Sequence, residues 1–128
     1  MFFPINIAGS HWVLVIVLMQ QKRILYRDAM GGNGQKYTSA IMQYLGDEMR
    51  EKLGVKMTKA ECDLWQVQSI PTAESPQQQN GFDCGMFLCM YADYMLQDLP
   101  EQFSQQDMPM LRRKICYCVL TGCLFYTV

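Results

Sequence analysis

Histidine is almost missing from this sequence: His11 is the only one in 128 residues. Zinc sites draw on histidine and on cysteine pairs separated by two to four residues. The six cysteines are Cys62, Cys84, Cys89, Cys116, Cys118 and Cys123. They offer only the one-residue gap of Cys116-Tyr117-Cys118, and His11 lies far from it. A structural metal is therefore not expected, and the spacing forms no disulfide framework. Long basic blocks are missing as well. None exceeds Arg112-Arg113-Lys114, and eleven basic residues stand against twelve acidic ones for a formal net charge of −1. That balance excludes nucleic acid as an expected partner, and the short run reads as a solvated helical face. The opening MFFPINIAGS has neither a charged leader nor an apolar h-region, so no secretory signal is expected. With eleven methionines and unpaired thiols, the chain suits a reducing interior, cytosol or nucleus. No apolar run approaches the roughly 20 residues of a membrane span. Trp12 to Met19 reads instead as a buried strand, and Ile115 to Val128, interrupted by Thr121-Gly122, as a buried terminal helix. Internal repeats, low-complexity tracts and linkers are likewise absent.

What is present suits one domain with one core. Half the residues are apolar and 18% are charged, the balance of a globular protein. His11 to Met19 (HWVLVIVLM) alternates too little for a half-exposed strand, so both its faces should be covered. Gln20-Gln21-Lys22 turns the chain, and Arg23 to Asp28 returns as the second strand of a hairpin. Met30-Gly31-Gly32-Asn33-Gly34 is a loop whose glycines permit positive φ. A helix is predicted over Thr38 to Leu53. Thr38 or Ser39 would cap it, Ile41, Met42, Leu45, Met49 and Leu53 would form its apolar stripe, and Gly54 would stop it. Trp65 to Ile70 reads as a third strand and Pro71 to Asn80 as loop. Asp83 to Leu96 is a helix with Phe87, Met90, Tyr91, Tyr94 and Met95 inward. A last helix starts near a capping box at Ser104 and turns Leu111, Ile115 and Val119 inward. The predicted order β-β-α-β-α-α is an α+β arrangement, with helices packed on a small sheet.

Chemistry concentrates where PQQQNGFDCGMF passes from coil into helix. Cys84 falls in the first helical turn, where unpaired N–H groups and the helix dipole favour an anion, and the thiolate is the form of cysteine that attacks carbonyls. Gly85 leaves space beside the sulfur for a substrate backbone. Cys89, Cys116, Cys118 and Cys123 fall inside apolar helices and read as packed thiols. A thiol nucleophile needs a proton acceptor, and only His11 is on offer. Asp28 ends the strand that pairs with the His11 strand, so its carboxylate can orient the imidazole. Gln78, six residues before Cys84, could donate to a developing oxyanion alongside the Cys84 N–H. Alone, each position has an ordinary explanation. Cys84 and His11 could be packing residues, Asp28 turn chemistry, Gln78 a solvated glutamine no different from Gln77 or Gln79, and Trp12 a core aromatic. Together they have suitable types, sit at element ends and run in the order His, Asp, Gln, Cys.

HWVLVIVLMQQKRILYRDAMGG followed by PQQQNGFDCGMF resembles the catalytic core of the SUMO-specific cysteine proteases, also called sentrin-specific or ubiquitin-like-specific proteases. The likeness carries His11, Trp12, Asp28, Gln78 and Cys84 one by one, and FSQQDMPMLRRKI looks like the family's terminal helix. It implies a papain-like α+β fold and cleavage after the Gly-Gly end of a small ubiquitin-like modifier, in precursor processing and deconjugation. Trp12, with Gly85, would border the channel that admits the two glycines. No cofactor or metal is implied, the partners would be SUMO and its conjugates, and the expected species is a nuclear, secondarily cytoplasmic, monomer. Domains of the family are longer, so residues 1–128 are expected to be the C-terminal half of the catalytic domain. Two alternatives stand beside this expectation: a SUMO-binding fragment without turnover, and a protease for another modifier such as NEDD8.

Overall fold

The computed structural model describes residues 1–124. Its elements run β1 (Phe2–Ile7), β2 (His11–Leu18), β3 (Arg23–Arg27), α1 (Gln35–Leu53), α2 (Lys59–Asp63), β4 (Gln66–Ser69), α3 (Cys84–Gln97) and α4 (Met108–Thr121), with 3₁₀ turns at Thr72–Glu74 and Gln105–Asp107. One sheet has the order β1-β2-β3-β4. The first two pairings are antiparallel and β3–β4 is parallel, so α1 and α2 form the crossover into β4. The arrangement is α+β, as expected.

Strand β2 explains the unbroken apolar run. Val13 to Val17 are all buried, because side chains of a strand alternate between faces and here both faces are covered. Leu14 and Ile16 meet Phe87, Met90 and Tyr91 of α3, with Leu111 of α4. Val13, Val15 and Val17 meet Leu45, Ile41 and Met42 of α1.

Several expectations change. Strand β1 and the short helix α2 were not anticipated. FFPINI carries Pro4, which interrupts a strand signal. The sheet accepts it because β1 is an edge strand, where a missing N–H is tolerated. Helix α1 begins at Gln35 rather than Thr38. Its N-cap residue, Gly34, has no side chain to cap with, so the Asn33 Oδ1 accepts from the Gln35 N–H instead, and Thr38 is buried inside the helix, donating back to the Gly34 carbonyl. Gly54 ends the helix in the left-handed region as predicted, but Leu53 is exposed. The terminal helix is the larger correction. Leu111 is buried and Ile115 packs on the core, yet Tyr117, Val119, Leu120 and Leu124 are exposed, because beyond Ile115 an open groove separates α4 from α3. The expected burial to Val128 extends past the described residues. Cys89, Cys116 and Cys123 are exposed and Cys118 half-buried, so packing does not account for them.

Candidate active site

Three element ends converge beside β2. Asp28 follows β3 directly, and its Oδ1 lies 2.7 Å from His11 Nε2. The register places Leu14 opposite Arg27, so the hairpin carries the start of β2 past the end of β3 and the ring meets the carboxylate across it. Asp28 also closes a turn, its Oδ1 accepting from the Met30 N–H at 2.9 Å. The turn role and the histidine contact are thus both real. Its Oδ2 accepts from the Tyr26 hydroxyl at 3.1 Å. Contact through Nε2 leaves His11 Nδ1 as the ring nitrogen open to a third group.

The glycine loop is built around this pair. Only Gly31 of the loop has positive φ, at 74°. Gly32 and Gly34 are needed for close approach instead. A Cβ on Gly32 would stand 2.8 Å from Asp28 Oδ2, and one on Gly34 would fall 2.0 Å from the Tyr26 ring. Neither distance is compatible with a side chain.

Cys84 is 5% exposed at the start of α3. Trp12 reaches the same turn, because a Cβ on Gly85 would meet the indole Cδ1 at 3.7 Å. The strand that begins at His11-Trp12 therefore lies against the helix that begins at Cys84-Gly85. Trp12 is 43% exposed, so it is no core aromatic: it roofs the helix start with one face open. Gln78 is fixed by its backbone N–H, which donates to the Ala29 carbonyl at 2.9 Å next to Asp28. Its Nε2 donates to Asn80 O at 2.5 Å, while its buried Oε1 has no partner among the described residues. Gln77 folds onto its own loop at Ser75 and Pro76, and Gln79 is exposed. Gln78 alone of the three is tied by its backbone N–H to the residue after Asp28.

The supports of Cys84 were missed from sequence. Asp83, at the N-cap of α3, does not cap it. Its carboxylate, 3% exposed, accepts from Asn80 Nδ2 and Gln105 Nε2, both at 2.7 Å, and from Arg112 Nε at 3.0 Å and Nη2. Arg112 also donates to the Phe82 carbonyl. So the basic run is not simply a solvated face: its first member ties α4 to the residue before the cysteine. The Asn80-x-x-Asp83 spacing was the available signal. Burial acts to raise the Asp83 pKa, but hydrogen bonds from Asn80, Arg112 and Gln105 outweigh it and hold the carboxyl below its ordinary 3.8. A depressed acid contributes stability above its unfolded value and loses it as pH falls through the folded one. Stability should therefore drop as pH falls from about 3.8, and Asp83→Asn should flatten that acid limb while lowering stability at neutral pH. Urea titrations at several pH values measure both; an unchanged acid limb would remove Asp83 from this role.

A second support holds the loop that carries Gln78. Arg27, buried on β3, pairs with Glu101 and donates to Ser75 Oγ at 3.1 Å. Its guanidinium lies 4.4 Å from the Tyr91 ring centre, and the Tyr91 hydroxyl donates to Pro76 O. An arginine directly after the apolar run Ile24-Leu25-Tyr26, on a strand that pairs with the buried β2, was the signal for a buried pair. No group of three potential metal ligands occurs among the described residues, and no described helix is long and apolar enough to cross a membrane.

Residues 1–119 match the Ulp1 protease family, C-terminal catalytic domain. The chain belongs to this family. Among curated Ulp1-family relatives, sentrin-specific protease 2 of Homo sapiens is 40% identical over 110 residues, covering 86% of this chain and 18% of that protein. Ubiquitin-like-specific protease 1 of Saccharomyces cerevisiae is 32% identical over 127 residues, covering 96% of this chain and 19% of that protein. The C-terminal Ulp1 protease domain, solved in complex with Smt3, the yeast ortholog of SUMO, superposes with a TM-score of 0.71 at 31% identity. That match covers 94% of this chain and 51% of the solved chain. The chain therefore spans about half the length of the solved Ulp1 domain and less than a fifth of these two curated relatives.

Proposed function

We propose that residues 1–128 are the C-terminal half of a ubiquitin-like protease catalytic domain, acting as a thiol protease and isopeptidase that cleaves after the Gly-Gly end of SUMO. The 2.7 Å contact of His11 with Asp28, beside a helix that opens on Cys84, carries this reading. Cys84 Sγ attacks the carbonyl of the terminal glycine as His11 Nδ1 takes the thiol proton. Asp28 holds the ring through Nε2 and stabilises the imidazolium. Gln78 Nε2, which has a second N–H beyond the one given to Asn80, and the Cys84 N–H receive the oxyanion. His11 then protonates the departing amine and activates the water that hydrolyses the thioester. Trp12 and Gly85 border the path of the two glycines, where absence of a side chain on Gly85 keeps the passage under the indole open. No cofactor is needed, and a nuclear, secondarily cytoplasmic, address goes with the family.

The test is incubation of the purified chain with a SUMO precursor and mass analysis of the products. A single cut after Gly-Gly is expected, with a NEDD8 precursor left intact. Preferred cleavage of the NEDD8 precursor would move the substrate assignment, and an uncut SUMO precursor would remove the activity from this chain. A second reading, SUMO binding without turnover, is favoured by one observation, the 51% coverage of the solved domain. Undiminished SUMO binding by a chain that cuts nothing would select it.

A further inference from the structure

The Asp28 carboxylate is held by more than the histidine. Three donors reach it: His11 Nε2 and the Met30 N–H at Oδ1, and the Tyr26 hydroxyl at Oδ2. Tyr26 is only 2% exposed and its ring is locked. Tyr37 of α1 stacks on it at 6.2 Å and 6°, Gly34 lies over the ring at Cγ, and Gly32 passes close to Asp28 Oδ2. The hydroxyl therefore has one address.

We infer that Tyr26 is a positioning residue of the active site: its hydroxyl orients the Asp28 carboxylate and sets how strongly that carboxylate draws on the His11 proton. The inference rests on the assignment of His11 as base. Burial, then the charge and hydrogen bond of Asp28, push the Tyr26 phenol well above its ordinary value, so the hydroxyl remains a donor wherever a thiol enzyme works. Other titratable groups face this cluster. Tyr37 stands behind Tyr26 on α1, while Tyr91 of α3 senses the Asp28 charge. Arg27 is engaged with Glu101 and Tyr91.

A carboxylate that gives part of its charge to a hydroxyl attracts an imidazolium less. Removing the hydroxyl leaves Oδ2 buried without that donor and concentrates the charge on His11. Because His11 is the only histidine, its ring protons give one NMR titration curve, which requires no turnover. In Tyr26→Phe that curve should move to higher pH, because Asp28 keeps more of its charge for His11, and the acid limb of SUMO-probe labelling should move with it. In an Asp28→Asn background, Tyr26→Phe should move nothing. 3-Fluorotyrosine at position 26, a stronger donor of nearly equal size, should move the curve to lower pH; it also serves if phenylalanine prevents folding. Unmoved curves in the variants, or a displacement that persists without the Asp28 charge, would overturn the inference. A displaced curve in a chain that cleaves nothing would keep Tyr26 as the device that positions the pair, while ending the protease assignment.

Discussion

Cys84→Ala should abolish labelling by a SUMO carrying a C-terminal electrophile and lower hydrolysis of a SUMO precursor by at least about 10⁴-fold. No second group in the site can make the acyl intermediate. The five other cysteines include none that the fold places at the start of α3. His11→Ala should cost about 10³-fold, since general acid–base transfer is lost at both steps, and the double variant should be no worse than Cys84→Ala alone. Groups that act as one unit are not additive. Gln78→Ala should cost about 10²-fold or more if its amide receives the oxyanion, whereas Gln79→Ala, at an exposed position, should stay close to wild type. Single-turnover labelling rates separate these cases. Labelling retained in Cys84→Ala would move the nucleophile elsewhere, and a Gln79 effect as large as that of Gln78 would undo the choice between them.

Glu101→Ala should destabilise the fold by about 3 kcal/mol. The loss comes less from a missing attraction than from what remains. Arg27, 6% exposed, would keep its charge with Ser75 and the Tyr91 ring as its named partners, and its Nε already lacks one. By contrast, Asp47→Ala should change stability by no more than about 0.5 kcal/mol, because its pair with Arg50 is solvated. Replacing both buried partners, Arg27→Met with Glu101→Leu, should recover most of the loss, as apolar groups have no charge to strand. Urea midpoints measure all three. A Glu101→Ala loss no larger than that of Asp47→Ala would mean that water reaches Arg27. The consequence extends to the site, because Ser75 and Pro76 lead directly to Gln78: the single variant should also slow labelling.

The legible parts of the fold were those where one signal dominates. A strand with every residue apolar, from Val13 to Val17, had to be covered on both sides, and it is. Gly54 ended α1 because glycine adopts its left-handed backbone without strain. The contact of His11 with Asp28 was legible because both sit at strand ends, and a hairpin brings two such ends together whatever else surrounds it. What escaped was relational. Proline in an edge strand can be read only after the neighbour is known. Arg112 looks like any surface base until α4 is laid against the start of α3, where it finds Asp83. Apolar composition alone cannot say whether a helix has a neighbour, and for that reason Val119 and Leu120 were misplaced.

Strand β2 is a partition wall with different tenants on its two sides. Damage on the α1 side, as in Val15→Ala, loosens the storey where Val15 stands opposite Tyr26, and the hydroxyl that holds Asp28 moves with it. Damage on the other side, as in Ile16→Ala, shifts the floor on which α3 rests, and the sulfur travels with it. Two truncations in adjacent positions of one strand can thus cost similar stability and disturb different members of the same candidate site.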